Sequence, residues 1–328
     1  MDTVTHLVIG AAMGEAIGGK QLGKKVALVG AVVAVLPDLD VAVQPFLTSA
    51  SAMMFHRGIT HSLLFWLVVS PLLGLFAWKL FKDNNKLLWI KVCMAAWFSH
   101  IFIDSFNSYG TALFLPFSNY RVSLGVLGVV DLIITLPLLV FTIGLIFFKM
   151  RNRWSIARWL LAYTLVYMVI GMLFQQEVKA KAQHEFVQAG ITVRSIHVRA
   201  LPLSILAWQV VGETDSNFVL AHRGIAEQGE WHFTNFSKRW ELLQQYVSNK
   251  QVMRAVRFTQ GQYVVKVDGD TLWIFDLRIA PMMLDGINTK FVVSFPVIKI
   301  GGNIVVGRAY PQRIFSKESL KAWASHAF

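Results

Sequence analysis

Apolar positions run in long unbroken stretches through the first 176 residues and alternate with polar ones through the remainder. The clearest stretches are Leu63–Trp78, Leu87–Asp104, Leu132–Phe148 and Trp159–Phe174. Each is about 16 to 18 residues, at the short end of the ~17–25 that a spanning helix needs. Two shorter apolar segments precede them, Thr3–Gly19 and Val26–Pro37. At 1.5 Å per residue the second reaches only ~18 Å against a ~30 Å hydrocarbon core, so it is a partial span or a helix buried among the others. The pattern predicts about six helices, at least four of them crossing a membrane. The chain opens on Asp2 with no basic region before its first apolar run, which argues against a cleaved signal peptide.

Residues 177–328 read as mostly β. Val264–Val267 and Leu272–Phe275 flank Asp268-Gly269-Asp270, a hairpin signal in which the glycine can take φ > 0. Gly190–Arg199, Ile205–Val211, Phe218–His222, Lys290–Val297 and Asn303–Arg308 are further predicted strands, and Lys238–Ser248 and Lys317–Ala327 short helices. The predicted class is α+β: a polytopic helical membrane domain over residues 1–176, then a β-rich extramembrane domain over 177–328.

Composition narrows this. With 55% hydrophobic and 15% charged residues and a mean hydropathy of +0.51, the chain is neither disordered nor an ordinary soluble enzyme, which carries about 25% charged residues. Cys93 is the single cysteine, so disulfides within the chain and thiolate zinc sites are excluded, and its apolar surroundings suit a small hydrophobe. The net charge of +12 points to an anionic partner, nucleic acid or a membrane surface. Its placement decides between them. Lys20, Lys24 and Lys25, then the 79–91 connection, then Lys149, Arg151, Arg153 and Arg158 place +10 on alternate connections; the others hold Asp38, Asp40, Asp104 and Asp131 against Arg57 and Arg121, a total of −2. The basic connections are therefore cytoplasmic, and residues 177–328 emerge on the opposite, periplasmic side. Nucleic acid is not an expected partner.

Ionisable residues inside a membrane domain are costly enough to mark function. His6, Asp38, Asp40, His56, His61, His100, Asp104 and Asp131 all fall at one end of the predicted bundle. His100 and Asp104, four apart, share a helix face. Pro37 stops its helix and leaves Asp38 and Asp40 in an irregular turn. His56 and His61 bracket a loop leading into the helix after Ser62. Imidazole mixed with carboxylate suits zinc first, with manganese or iron as alternatives, rather than magnesium or calcium. His6, Asp38, Asp40, His56, His61, His100 and Asp104 are the candidate ligands, enough for two ions sharing a carboxylate. Asp40 or Asp131 is placed to take a proton from water, and Arg57 and Arg121 to hold an anionic substrate group. Ser62, Asn107, Tyr109 and Thr111 are nearby polar groups that could orient it. The four histidines His184, His197, His222 and His232 show no ligand spacing and read as surface or hydrogen-bonded side chains.

The stretches MDTVTHLVIGAAMG at the start, LPDLD at 36–40, HRGITHSLL at 56–64 and SHIFIDSFNSYGTALFLPFSNYRVSL at 99–124 resemble the YdjM/YbcI-like family of inner-membrane metal-dependent hydrolases. The likeness covers roughly residues 1–150, and the tail is similar to the longer members. Ile59 stands where an aromatic residue or Leu is expected. The resemblance implies His56, His61, His100 and Asp104 as metal-site positions, with Asp38 and Asp40 close behind.

The expected activity is hydrolysis, by metal-activated water, of an ester or phosphoester in a lipid-linked or amphiphilic substrate at one membrane face. The alternatives are a non-catalytic membrane metalloprotein, its metal stapling short helices and its β domain binding a protein partner, and an ion- or proton-coupled transporter.

Overall fold

A computed structural model describes residues 1–281, 283–284, 289–301, 303–307 and 317–327. It contains α1 (Thr3–Leu22), α2 (Lys25–Val35), α3 (Ser49–Phe55), α4 (Leu63–Phe81), α5 (Lys86–Asp104), α6 (Leu132–Phe147) and α7 (Arg153–Gln188). Strands β1 (Ser195–Ala200), β2 (Ala207–Glu213), β3 (Asn217–Gly224) and β4 (Thr234–Ser237) follow, then helix α8 (Lys250–Phe258). Strands β5 (Tyr263–Asp268), β6 (Thr271–Asp276), β7 (Val293–Ile300) and β8 (Asn303–Val306) and helix α9 (Lys317–Ala327) complete it. The class is α+β, as the pattern predicts. The chain forms two compact units: Met1–Ala42 with His56–Leu124 and Val129–Ile170, and Val43–Phe55 with Gly125–Gly128 and Gly171–Phe328.

Among the described residues, four segments are long and apolar enough to cross a membrane: Lys25–Phe46, Leu63–Phe81, Lys86–Asp104 and Arg153–Gln188. The first corrects the short-helix expectation. Pro37 does end α2, but the chain continues as a 3-10 helix over Leu36–Phe46 rather than as an irregular turn. Proline is tolerated in a first helical turn, where its missing N–H has no partner to lose, so the two helices read as one 22-residue apolar segment.

In the first unit α1 and α2 pack at backbone contact. A Cβ on Gly10 would lie 2.4 Å from the Gly30 carbonyl oxygen, and one on Gly30 would lie 2.2 Å from that of Gly10. Such small-residue seams are how helices associate where lipid removes the hydrophobic drive. Helices α4 and α5 pair behind them, the Trp66 indole N–H donating to the Met94 carbonyl at 2.8 Å. Trp89, Cys93, Ala96, Trp97 and Ile101 of α5 pack with Val26 and Val33 of α2. Cys93 is thus core.

In the second unit β1–β4 and β5–β8 form two antiparallel sheets, each in sequence order. Val211, Phe218, Leu220 and Phe236 of the first share a core with Val264 of the second and with Leu277 and Phe291. Gly269 does take φ 55° in the two-residue turn between β5 and β6. Helices α3 and α8 and strand β4 escape sequence reading, although α8 spaces its buried Val252, Ala255 and Phe258 three residues apart. Lys238–Ser248 is a 3-10 turn over Trp240–Tyr246, the strand predicted from Gly190 starts at Ser195, and α7 runs on to Gln188, so His184 is helical. Arg308, the predicted end of the last strand, lies outside the described residues.

Candidate metal centre

Three elements of the first unit converge on one point. The 3-10 stretch after α2 carries Asp38, a 3-10 turn over Ile59–His61 carries His61, and the last turn of α5 carries His100 and Asp104. His61 Nε2 lies 2.9 Å from His100 Nε2. Asp38 Oδ1 lies 3.4 Å from the first and 3.5 Å from the second. Asp104 Oδ2 is 3.7 Å from each. These four atoms all lie within 4.8 Å of one another. Ligands 2.0–2.2 Å from a tetrahedral zinc stand about 3.3–3.6 Å apart. The carboxylate–imidazole spacings of 3.4–3.7 Å are close to this, and the two Nε2 atoms at 2.9 Å would part slightly to hold an ion.

The hydrogen bonds behind the histidines fix which atoms face inward. His100 Nδ1–H donates to the Ala34 carbonyl at 2.6 Å. The Thr60 hydroxyl donates to Asp40 Oδ2 at 3.1 Å and so accepts from His61 Nδ1–H at 3.0 Å. Each ring therefore turns an unprotonated Nε2 toward the cluster, the arrangement a ligating imidazole needs. Burial drives the His61 pKa down to about 4, so this ring stays neutral. Asp38 Oδ1 and Asp104 Oδ2 are buried without a hydrogen-bond partner, although Asp104 Oδ2 has the Arg57 guanidinium at 2.9 Å. Two facing lone pairs beside two such oxygens are a fit for a cation.

Around these four, the other predicted residues take distinct places. His6 Nε2–H donates to Asp104 Oδ1 at 3.1 Å, and the ring stacks on His100 with ring centroids 3.7 Å apart. It touches a ligand rather than joining the four. Asp40 bonds His56 Nδ1 at 2.7 Å and accepts the Arg57 backbone N–H at 3.0 Å. Asp38, Asp40 and His56 form a second group able to hold an ion, sharing Asp38 with the first.

Residues 1–178 match the YdjM inner membrane protein family. The chain belongs to that family. It is 37% identical over 143 residues to the Bacillus subtilis (strain 168) uncharacterized protein YfhP, a match covering 40% of this chain and 42% of that protein. It is also 28% identical over 120 residues to the Escherichia coli (strain K12) inner membrane protein YbcI, covering 36% of this chain and 69% of the relative. The chain therefore spans less than half the length of YfhP. No solved structure matches it. Family and apolar helices together make this an inner membrane protein.

Of the remaining candidates in this family member, Arg57 reaches a ligand atom, Asp104 Oδ2, and the others stand apart from the four. Arg57 pairs with Asp104 and donates to Asn107 Oδ1 at 2.7 Å. Arg121 donates to the carbonyls of Gly110 and His56, bracing the loop between α5 and α6. Asp131 caps α6, accepting the backbone N–H groups of Ile133 and Ile134 at 3.0 and 3.2 Å, and Tyr167 donates to its other oxygen. Burial raises its carboxyl to about 6. Ser62 caps α4, while Asn107 bridges Arg57 and Asp104. Sequence reasoning missed Thr60, whose only signal is its place beside His61, and the Ala34 carbonyl, which no side-chain pattern can announce.

Proposed function

We propose that Asp38, His61, His100 and Asp104 hold a divalent cation, zinc first, with manganese or iron as alternatives, and that the protein is a membrane-bound hydrolase. The observation that carries this is the pair of inward Nε2 atoms at 2.9 Å flanked by two carboxylate oxygens. Two nitrogen and two oxygen donors without thiolate suit such an ion. When bound, it would supply Lewis acidity and a water of lowered pKa.

The chain's own residues divide the remaining work. Asp40 holds His56 through Nδ1, and His56 is the one imidazole of the centre with substantial exposure, 26% of its side chain. The pair is arranged to accept a proton at His56 Nε2, with Asp40 orienting the ring. Because Asp40 and His56 already engage each other at 2.7 Å, the first group of four is the better cation site. Arg57 and Arg121 are committed to Asp104 and to backbone carbonyls, so they serve the architecture of the loop before any substrate. The substrate we infer is an ester or phosphoester with an apolar tail, met at one membrane face, with the β unit periplasmic by charge placement.

A second reading, a cation that only staples short helices, draws on the complete burial of the His61, His100 and Asp104 side chains. Metal analysis of purified protein and a hydrolysis screen on phospholipid and carboxyl esters separate the two. Metal with hydrolysis, both lost in His100→Ala, supports the enzyme. Metal without hydrolysis of any such ester supports the staple, and no metal removes both.

A further inference from the structure

The β unit contains a row of buried polar groups that nothing among the described residues satisfies. Arg199 of β1 stands opposite Gln209 of β2, and Gln209 stands opposite His222 of β3. Directly opposed residues of antiparallel strands share a face, with Cβ atoms about 4.5–5.5 Å apart. The three side chains therefore form a line across the sheet, on the face where Val211 and Leu220 join the core between the sheets. All three are more than nine-tenths buried. Arg199 Nη1, Gln209 Nε2 and Oε1, and His222 Nε2 have no hydrogen-bond partner. The sequence reading of His222 as a surface or hydrogen-bonded histidine is thus corrected for Nε2, because the register places it beside Gln209.

Charge sharpens the point. Asp276 is taken up by Arg278, which donates to it from Nε at 3.1 Å, from Nη2 at 2.7 Å and from its backbone N–H at 2.9 Å. Arg199 is a second guanidinium close enough to feel that pair, its pKa lowered to about 9 by burial first and by Arg278 next. Arg199 thus feels both Arg278 and Asp276, and among the described residues it forms no salt bridge of its own. His326 of α9 packs edge-on against His222 at 5.7 Å but spends Nδ1 on Glu227, 3.0 Å away. Buried polar atoms without partners are rare in folded proteins and destabilise them. Water can satisfy the amide and the imidazole, but it cannot neutralise the buried Arg199 guanidinium.

We propose that Arg199, Gln209 and His222 form an oxyanion-binding site. Arg199 and the Gln209 amide nitrogen donate, whereas Gln209 Oε1 accepts, so the complementary group is an oxyanion that also carries a hydroxyl. A singly protonated phosphate and an α-hydroxycarboxylate share that chemistry, and sulfate lacks the hydroxyl.

Calorimetric titration of the full chain in detergent, after dialysis against EDTA to empty the metal centre, tests this with inorganic phosphate, lactate and sulfate. Saturable one-to-one binding of phosphate or lactate, weaker for sulfate, is the expected result, and the tighter ligand identifies the source. Arg199→Gln and Gln209→Leu should each weaken it at least tenfold, while His56→Ala leaves it unchanged. Gln209→Leu decides the matter if Arg199→Gln does not fold. Absence of saturable binding, or binding indifferent to the variants, overturns the site and leaves a hydrated polar row.

Discussion

His61 Nε2 and His100 Nε2 face each other at 2.9 Å, each with its other ring nitrogen committed outward, to the Thr60 hydroxyl and the Ala34 carbonyl. Two lone pairs so placed repel unless a proton or a cation lies between them. Burial disfavours the proton at His61. One divalent ion per chain is the expected stoichiometry by elemental analysis of protein purified without chelator. His61→Ala, His100→Ala and Asp104→Ala should each abolish retention through size exclusion. Full retention in all three would place the ion elsewhere.

Thr60 is the link between Asp40 and His61. In Thr60→Val the hydroxyl is lost and His61 is free to adopt the other tautomer. Outer partners of this kind are worth about 10–100-fold in metal affinity. Competition with a chromophoric chelator should show a loss in that range, and Thr60→Ser should restore most of it. Equal affinities for wild type and Thr60→Val would mean that the relay does not orient the ring.

What the sequence reveals and conceals follows from which interactions are local. His100 and Asp104 lie one helical turn apart, so a 3.6-residue period suffices to put them on one face. Asp38 and His61 come from separate segments, and charge sorting brings them to one end of the bundle without giving their spacing. Helix α8 does carry a helical period, with Val252, Ala255 and Phe258 three residues apart on its buried face, but over nine residues only, and β4 has four. Arg199, Gln209 and His222 meet only through strand register, which no local spacing encodes.

The seam between α1 and α2 holds the Ala34 carbonyl against His100. In Gly30→Ala the new Cβ would stand 2.2 Å from the Gly10 carbonyl oxygen and 3.1 Å from the Gly14 Cα, both backbone atoms that cannot swing aside. Overpacking of this kind costs about 1–3 kcal/mol. Because Ala34 lies one turn beyond Gly30, metal affinity should fall with stability. Denaturation in mixed micelles and chelator competition measure the two. Gly23→Ala, whose Cβ would meet nothing within 4 Å but whose φ of 77° strains an L side chain, should cost stability and leave metal affinity unchanged.

Asp131 separates a capping role from a catalytic one. Burial raises its folded-state pKa to about 6, above the ordinary 3.8. The folded protein therefore holds the proton more tightly than the unfolded chain does. Stability from this group falls as pH rises from about 4 to about 6 and is flat above that, with a slope approaching ~1.4 kcal/mol per pH unit inside the window. Asparagine is an equally good N-cap and has no charge to bury. Asp131→Asn should be more stable than wild type at pH 7, by up to about 3 kcal/mol, and should lose the slope. It should also keep its metal and any hydrolysis the wild type shows, because every hydrogen bond described for Asp131 serves α6 or Tyr167. A variant that retains metal and stability but loses hydrolysis would instead make Asp131 the proton acceptor in place of the Asp40–His56 pair.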